Sequence, residues 1–279
     1  MSVTISAADV NKLRQQTGAG MMDCRKALTE SEGDFEKAID YLRKKGQKVA
    51  ANRSDRDAKE GVVLAKATAD NKYGIIVNLS SETDFVAKNQ EFIAFAQQIA
   101  DIALETKATS IDELKAADMG GAQLGEKLME MVAKIGEKID IVRFEQVSAE
   151  SVIAYIHAGY RIGVLVGMNK AANENVIGAG KDVAMQIAAM NPLAVDEKGI
   201  TPEMIEREKA IAVEQVMAEG KAADMAEKIA QGKLNKFFKE NTLLPQAFVK
   251  DNGKTVGDYL KSVEGDLTVT TFKRIAVGA

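Results

Sequence analysis

Cysteine, histidine and tryptophan are almost absent from this 279-residue sequence, which has one Cys, one His and no Trp. A single cysteine, Cys24, excludes an intrachain disulfide and is expected in a reducing compartment. Cys24 and His157 alone are too few ligands for a zinc site, so Cys24 is expected to be a small buried residue and no metal is expected. No catalytic set is recognisable, which favours a binding or regulatory protein over an enzyme.

The sequence also has few prolines and fewer basic than acidic residues. The three prolines predict long helices and few rigid loops, and 37 basic residues face 41 acidic ones for a net charge of −4. This balance argues against a large nucleic-acid surface but leaves a local basic patch open. No apolar run is long enough to span a bilayer and the first residues lack an apolar signal core, so a soluble cytoplasmic protein without membrane contact is expected.

Residues 1–46 have the pattern of three short helices. Ser6 and Asp9 have the spacing of a helix cap, and the glycines near residue 20 end the first helix. Asp34 caps a third helix, whose apolar face carries Phe35, Ala38, Ile39 and Leu42 and which is predicted to end at Gly46. The charged stretch 47–60 is predicted to be a linker, with an extended helix as the alternative.

A strand–turn–strand–helix pattern then occurs twice, in residues 61–147 and 148–200. Tyr73–Val77 matches Ile162–Val166 at an offset of 89 residues, and Phe95–Ala100 matches Val183–Ala188 at an offset of 88. The helices are expected at Glu91–Leu104 and Asp182–Met190, and Ile139–Val147 is expected to be a further strand. We infer two related ββα subdomains with antiparallel sheets backed by helices.

Residues 201–240 are predicted to form a protruding helical hairpin. Thr201 and Pro202 are a strong helix start, and Gly220 separates the two helices. Residues 241–279 are expected to complete the core with a strand, a helix from about Thr255 and a final strand. The predicted fold class is therefore α+β.

Two glycine-containing stretches superficially suggest nucleotide binding. Gly18-Ala19-Gly20 lacks the third glycine of a dinucleotide fingerprint, because Asp23 occupies that position, and it follows a helix and not a strand. Gly180-Lys181 lacks the first glycine and the final Ser or Thr of a phosphate loop, since those positions hold Asn175 and Asp182. Neither motif predicts a nucleotide site.

Two other stretches, LRQQTGAGMMDCRKAL (Leu13–Leu28) and TDFVAKN (Thr83–Asn89), resemble the two signatures of the bacterial elongation factor Ts family. The residues just before the second stretch, Asn78–Glu82, depart from the usual family pattern. The resemblance implies an N-terminal three-helix bundle of the ubiquitin-associated type, a duplicated core and a helical hairpin. It also implies a guanine nucleotide exchange factor that displaces magnesium from elongation factor Tu and releases GDP. Such a protein uses no cofactor and binds no nucleotide or nucleic acid itself.

The same resemblance assigns residues to the contact with elongation factor Tu. Asp84 and Phe85 correspond to the pair that dislocates the magnesium ion, with Thr83 and Val86 anchoring their loop. A second contact involves the N-terminal bundle, through Met21, Met22, Arg25 and Lys26. Further contacts are implied for Ile135, Gly136, His157, Phe248 and Val249.

Each assignment has a structural alternative. Phe85 could pack under the following helix on Phe92 or Phe95, and each of the two methionines could fill the bundle core. His157 could be an ordinary polar residue at a strand end, and Gly136 an ordinary helix cap. The hairpin could serve self-association or be a solvated protrusion. For the whole chain, the alternatives are an adaptor whose bundle binds a ubiquitin-like or helical partner, and an enzyme with an unrecognised site.

Overall fold

The computed structural model describes residues 4–220 and 222–279, and these form an α+β protein with small antiparallel sheets. The helices are α1 (Ala7–Thr17), α2 (Met21–Glu30), α3 (Phe35–Asn52), α4 (Asp84–Ala87), α5 (Gln90–Thr106), α6 (Ile111–Ala116), α7 (Leu124–Ile135), α8 (Glu174–Met190), α9 (Pro202–Ala218), α10 (Ala223–Asn241) and α11 (Val256–Glu264). The strands are β1 (Glu60–Ala67), β2 (Tyr73–Ser81), β3 (Asp140–Ser148), β4 (Ser151–His157), β5 (Ile162–Met168), β6 (Ala247–Phe248), β7 (Asp251–Thr255) and β8 (Val269–Ala276). None of the helices in the described ranges is long and apolar enough to cross a membrane.

The first three helices pack around one small apolar cluster. Ser6 caps α1 by accepting a hydrogen bond from the Asp9 N–H at 3.1 Å, and the Asp9 carboxylate accepts the Ser6 N–H in return. Asp34 caps α3 by accepting the Lys37 N–H, so both predicted caps are confirmed. Cys24 lies in the cluster with no exposed surface, as predicted, and burial raises the pKa of its thiol.

The third helix does not end at Gly46. Of the two alternatives for residues 47–60, the structure shows the extended helix over the first six residues. α3 continues to Asn52 and packs on α7, with Val49 and Ala50 reaching the main core. Gly46 is buried in this crossing, where a Cβ would overlap the Met129 carbonyl oxygen and lie 3.1 Å from the Ala133 Cβ. The glycine therefore allows two helices to approach closely and does not act as a helix stop.

Two three-stranded antiparallel sheets follow, in the orders β1-β2-β3 and β4-β5-β8. Helices α5 and α7 cover the outer face of the first sheet, whose core includes Phe92, Phe95 and Ile99. Helices α8 and α11 cover the second sheet. The predicted strand Ile139–Val147 is confirmed as β3, displaced by one residue.

The prediction that the second helix begins at Asp182 is wrong by eight residues. α8 begins at Glu174, where the Asn173 side chain accepts the Val176 N–H at 2.9 Å. Gly178 and Gly180 lie inside the helix, and a Cβ on Gly180 would lie 2.6 Å from the Ile153 Cγ1. Close packing of Gly180 on β4 thus overrides its low helix propensity, whereas a Cβ on Gly178 would have no neighbour within 4 Å.

The inner faces of the two sheets contact each other through a cluster that includes Val63, Ile76, Val152 and Leu165. Hydrogen bonds join the sheets at two places: the Val63 N–H donates to the Tyr160 carbonyl oxygen at 2.7 Å, and the Val152 N–H donates to the Asn71 carbonyl oxygen at 2.5 Å. The site described below lies at one edge of this double-sheet core.

The predicted hairpin is formed by α9 and α10, which pack on each other through Ala212, Val216, Ala226, Ala230 and Leu234. Thr201 accepts the Met204 N–H and Pro202 is the first helical residue, so the predicted start is confirmed. After the hairpin the chain returns through β6, β7 and α11, and β8 pairs with β5 as the last strand.

Candidate partner-binding site

The stretch Thr83–Val86 forms the start of a one-turn helix, α4, between strand β2 and helix α5. Thr83 has an extended backbone, and its hydroxyl accepts the Val86 N–H at 3.4 Å. Val86 and Ala87 point inwards, with Val86 packed on the core of the first sheet. Phe85 points outwards and is 82% exposed, the largest exposed fraction of any large apolar side chain in the described residues.

The alternative that Phe85 packs on Phe92 or Phe95 is therefore wrong. Those two side chains lie in the core of the first sheet, 0% and 7% exposed. Neighbouring side chains on a helix point about 100° apart. With Val86 and Ala87 turned towards the core, Phe85 is therefore directed outwards. An isolated exposed Phe gains free energy only when another molecule covers it.

A carboxylate from another part of the chain holds the residues before Phe85 in place. Glu137 Oε2 accepts the N–H groups of both Glu82 and Thr83 at 3.1 Å, and its Oε1 accepts the Thr83 hydroxyl at 2.7 Å. Three hydrogen bonds to one charged group fix the loop more firmly than a neutral contact would. Glu137 was not among the residues identified from the sequence.

A second carboxylate, that of Glu82, joins the same loop to the end of α3. Arg53 Nη1 donates to both Glu82 oxygens at 2.8 Å, and the Lys138 N–H donates to Oε1 at 2.6 Å. Burial opposes ionisation of Glu82, but the hydrogen bonds from Lys138 and Arg53 outweigh it and hold the pKa of this carboxyl below its usual value. The Lys138 ammonium also donates to the carbonyl oxygens of Ser54 and Arg56.

Hydrogen bonds thus join three separate segments just before Phe85. They are the end of α3, the loop between β2 and α4, and the turn after α7. We name Arg53, Glu82, Glu137 and Lys138 the loop clamp. Its partners are 29 to 84 positions apart in the sequence, and no local pattern pairs them. The clamp was therefore missed by sequence reasoning, although Glu82 lies among the residues that depart from the usual family pattern.

Asp84 lies beside Phe85 and is also on the surface. Lys88 donates to its carboxylate at 2.6 Å, one helical turn further along. This hydrogen bond and the charge of Lys88 lower the pKa of Asp84, so the group is a carboxylate at neutral pH. The exposed surface therefore presents a carboxylate paired with an ammonium group next to an apolar ring.

The turn Ile135-Gly136 lies close to the same loop because Glu137 follows it directly. Gly136 caps α7 with φ = 80°, and its N–H donates to the Val132 carbonyl oxygen at 2.8 Å. The left-handed conformation favours glycine at this position. Gly136 is therefore a helix cap, and Ile135 and Gly136 directly precede Glu137, which accepts hydrogen bonds from Thr83. Their implied contact with a partner stays a prediction.

In the N-terminal bundle, Met21 and Met22 are 54% and 75% exposed. The apolar cluster of the bundle is filled instead by Cys24, Ala27 and Leu28 from the same helix. The alternative that either methionine fills the core is therefore wrong. Arg25 and Lys26 are exposed one turn further along α2, so all four implied contact residues are accessible.

His157 lies at the end of β4 and is exposed. Its Nδ1 is 2.9 Å from the Tyr155 hydroxyl, and the two rings are 5.9 Å apart between centroids. Ala158, Gly159 and Tyr160 follow with φ values of 53°, 62° and 70°. This unusual left-handed turn is held by the hydrogen bond from the Val63 N–H to Tyr160, which fixes the position of the histidine relative to the first sheet.

Phe248 and Val249, the last two residues for which the resemblance implies a partner contact, differ in their exposure. Phe248 is 2% exposed and stacks on Tyr259, with ring centroids 4.1 Å apart and an angle of 14° between the rings. It is a core residue of the second subdomain, and the expectation of a contact through its side chain is not supported by its burial. Val249 is 44% exposed, and its N–H donates to Gln186 Oε1 at 2.9 Å.

In ranges 4–220 and 222–279, no group of three or more His, Cys, Asp or Glu side chains is placed to hold a metal ion. The polar groups beside Phe85 are used by the loop clamp and by the Asp84–Lys88 pair. The geometry at this site is that of an exposed apolar side chain on a rigid support, suited to insertion into another protein.

Comparisons with known proteins show the family to which the chain belongs. Residues 82–279 match the family model described as "Elongation factor TS". The protein named Elongation factor Ts from Amoebophilus asiaticus is 53% identical over 277 residues, covering 99% of this chain and 100% of the relative. The protein of the same name from Christiangramia forsetii is 52% identical, covering 98% and 99%, and that from Porphyromonas gingivalis is 44% identical over the full length of both chains. The chain belongs to the elongation factor Ts family.

Proposed function

We propose that this protein is the guanine nucleotide exchange factor for elongation factor Tu in translation elongation, and that Phe85 is inserted into its partner. Family membership supports the function, and the observation that carries the mechanism is the 82% exposure of Phe85 on a loop fixed by the clamp. Exchange breaks no covalent bond, so a protein performing it requires no catalytic residue of its own.

The physical task is to weaken the hold of the partner on GDP. A GTPase binds GDP through phosphate contacts and a magnesium ion bridging phosphate oxygens and protein ligands. Any protein that stabilises a state with weaker GDP binding is itself bound less tightly when GDP is present, because the coupling is reciprocal. Insertion of Phe85 beside the metal site supplies the energy, and Asp84, whose carboxylate is paired with Lys88, adds a polar contact that orients the loop.

The energy available from Phe85 is sufficient for a large effect. Burying a phenylalanine side chain yields roughly 2 kcal/mol or more, and each 1.4 kcal/mol or so is a tenfold change in affinity. This energy is usable only if the ring is held rigidly, since ordering a flexible loop costs about 1–2 kcal/mol per residue. The hydrogen bonds of Glu82 and Glu137 order the loop before the partner arrives.

Met21, Met22, Arg25 and Lys26 are proposed to form a second contact with elongation factor Tu, and Ile135, Gly136, His157 and Val249 to lie at its edges. The exposure of both methionines supports this role. Two linked contacts bind more tightly than either alone when their spacing matches the partner. The close α3–α7 crossing at Gly46 supports a fixed spacing between the bundle and Phe85.

We also propose that the core arose by duplication of a ββα unit. The reciprocal hydrogen bonds Val63–Tyr160 and Val152–Asn71 support this, because both donors and both acceptors are related by the same offset of 89 residues. The strand irregularities at Asn78/Leu79 and Gly167/Met168 have the same offset. In this division residues 61–147 and 148–200 are the two copies, 201–240 the hairpin and 241–279 a module that completes the second copy.

Two glycines, Gly74 and Gly163, are related by the same offset of 89 residues. A Cβ on Gly74 would lie 2.7 Å from the Val152 Cγ1, and a Cβ on Gly163 would lie 2.6 Å from the Val63 Cγ1. Each glycine therefore makes room for the valine of the other copy. The N-terminal bundle of the ubiquitin-associated type is proposed to comprise residues 1–46, with the remainder of α3, up to Asn52, attaching it to the core.

Release of a fluorescent GDP analogue from elongation factor Tu tests the exchange role directly. The wild-type chain should accelerate release, and Phe85→Ala should reduce the acceleration roughly 30-fold, the equivalent of about 2 kcal/mol. Because Phe85 is exposed, the stability of the variant should change by less than about 0.5 kcal/mol. Met190→Ala, which truncates a 49% exposed side chain in α8, is the matched control. An unchanged rate with Phe85→Ala would contradict insertion.

A further inference from the structure

A groove on the N-terminal bundle contains more positive charge than any role described so far requires. The stretch RKKGQK (Arg43–Lys48) holds four basic residues in six positions. On the acidic background of a chain with net charge −4, such a run is a local feature typical of anion-binding surfaces.

The structure divides these basic residues between two faces of α3. Arg43 faces α7, where it pairs with Glu126 and Glu130. Lys44, Lys45 and Lys48 line an open groove of about 530 Å³ between α2 and α3, together with Lys26 from α2. The groove is therefore positively charged on both sides, while Arg43 is used in attaching the bundle to the core.

Three of the four lysines in the groove are not neutralised. Lys45 pairs with Asp23 at 2.5 Å, which cancels the one acidic residue of the groove lining. Lys26, Lys44 and Lys48 make no ion pair with any carboxylate of residues 4–220 and 222–279. Lys44 and Lys48 are one helical turn apart on α3, so both side chains lie on the face of the helix that lines the groove.

The rest of the lining also suits an anionic chain. Tyr41 is half-buried against the bundle core, which fixes its ring, and Asn52 lies at the far end of the groove. Both side chains offer hydrogen-bond donors, and an aromatic ring can stack on a nucleobase. Lysine is depleted in protein–protein interfaces, where arginine and apolar residues are enriched. A groove whose charge comes from lysines alone is therefore less typical of a protein partner than of a nucleic-acid backbone.

We propose that this groove binds the phosphate backbone of single-stranded RNA, without sequence selectivity, through Lys26, Lys44 and Lys48. The groove is distinct from Phe85 and its loop clamp, and only Lys26 is shared with the proposed contact to elongation factor Tu. The proposal departs from the expectation, implied by the resemblance, that the protein binds no nucleic acid. The charge balance argues against a large nucleic-acid surface and is compatible with a site for about three phosphates. Each contact releases condensed counterions, so the affinity depends strongly on salt.

Fluorescence anisotropy of a labelled oligouridylate of about 12 nucleotides with the full chain tests the proposal. Three phosphate contacts to a single strand give a slope of about −2 in a plot of log affinity against log salt. The affinity should therefore fall roughly tenfold between about 50 and about 150 mM KCl. Absence of binding at the lower salt concentration, or affinity independent of salt, would overturn the proposal.

The variant Lys44→Gln/Lys48→Gln removes two of the three contacts. Its slope should be about −0.7, with a loss of only about twofold over the same salt range. The control Lys181→Gln/Lys209→Gln changes two exposed lysines outside the groove. Both variants lower the net charge from −4 to −6 (−4 − 2), so the wild-type slope is expected only in the control. Equal slopes for both variants would refute the assignment to the groove.

A glutamate peptide of about 12 residues distinguishes RNA from an acidic protein segment. It should displace the oligouridylate only at much higher concentration than unlabelled RNA does. Displacement at the same or lower concentration would assign the groove to an acidic protein partner and overturn the RNA proposal. Circular dichroism melting of both lysine variants verifies that they remain folded.

Discussion

Glu137 offers the sharpest test of how the exposed phenylalanine is supported, because it touches neither Phe85 nor, in the proposed mechanism, the partner. Glu137→Ala removes three hydrogen bonds, two from backbone N–H groups and one from the Thr83 hydroxyl. Hydrogen bonds to a charged group contribute about 1.5–3 kcal/mol each when buried. Glu82 and Thr83 are partly exposed, so water replaces part of this, and we expect a total loss of about 2 kcal/mol.

Two assays follow from this magnitude. For a chain of this size, about 2 kcal/mol lowers the melting temperature by roughly 4–8 °C. The rate of GDP release from elongation factor Tu, normalised to folded protein, should fall about tenfold or more, since the freed loop must be ordered again on binding at about 1–2 kcal/mol per residue. Glu137→Gln keeps one acceptor oxygen and should give intermediate values in both assays.

Glu150→Ala provides the matched control. Glu150 is exposed between β3 and β4 and makes no side-chain hydrogen bond or ion pair within the described part of the chain. Its removal should leave both measurements unchanged. If Glu137→Ala lowers the melting temperature but not the exchange rate, the clamp stabilises the fold without positioning Phe85. If neither quantity changes, the argument from hydrogen-bond geometry is refuted.

Four further outcomes are expected. Gly46→Ala should destabilise the protein by about 1–3 kcal/mol in urea unfolding, because the added Cβ overlaps the Met129 carbonyl oxygen; an unchanged midpoint would show that α3 and α7 move apart freely. Met21→Ser/Met22→Ser should weaken binding to elongation factor Tu in calorimetry while stability stays within about 0.5 kcal/mol per site; undiminished affinity would remove the bundle from the interface. Glu82 has a folded-state pKa below the ordinary 4.5, so its contribution is present above that pH and lost as pH falls through the lower folded value; the melting-temperature difference between wild type and Glu82→Gln should shrink on acidification from pH about 7 to about 3, and a constant difference would contradict the linkage. Phe248→Ala should cost about 3–5 kcal/mol of stability, because the ring is buried against Tyr259; a loss below about 1 kcal/mol would show that the stack is dispensable.

Most helix starts and all but the shortest strands could be predicted from the sequence because their causes are local. A cap such as Asp34 or the Thr201-Pro202 start acts on backbone groups within four residues. The apolar face of α3 likewise depends on residues of one element only. The stretch TDFVAKN could be identified because it is contiguous. The similarity to a relative of the family covers 99% of this chain.

The limits of these local rules are visible at three glycine-containing sites. Gly46 was predicted to stop a helix and instead lies in a helix crossing, while Gly178 and Gly180 lie inside α8 where a helix had not been expected. In isolation a glycine lowers helix stability by about 1 kcal/mol. Only the packing partner, Met129 for Gly46 and Ile153 for Gly180, reveals that the missing side chain is what allows the contact.

The exposure of Phe85, Met21 and Met22 was likewise decided by tertiary structure. An apolar residue near a turn is compatible with a core or a surface position, and the sequence by itself determined only that Phe85 lies between a strand and a helix. Its outward direction follows from the burial of Val86 and Ala87 and from the hydrogen bonds of Glu137, whose partners are 54 and 55 positions away. Such contacts depend on which elements meet in space, and pairing over that distance leaves no periodic trace in a single sequence.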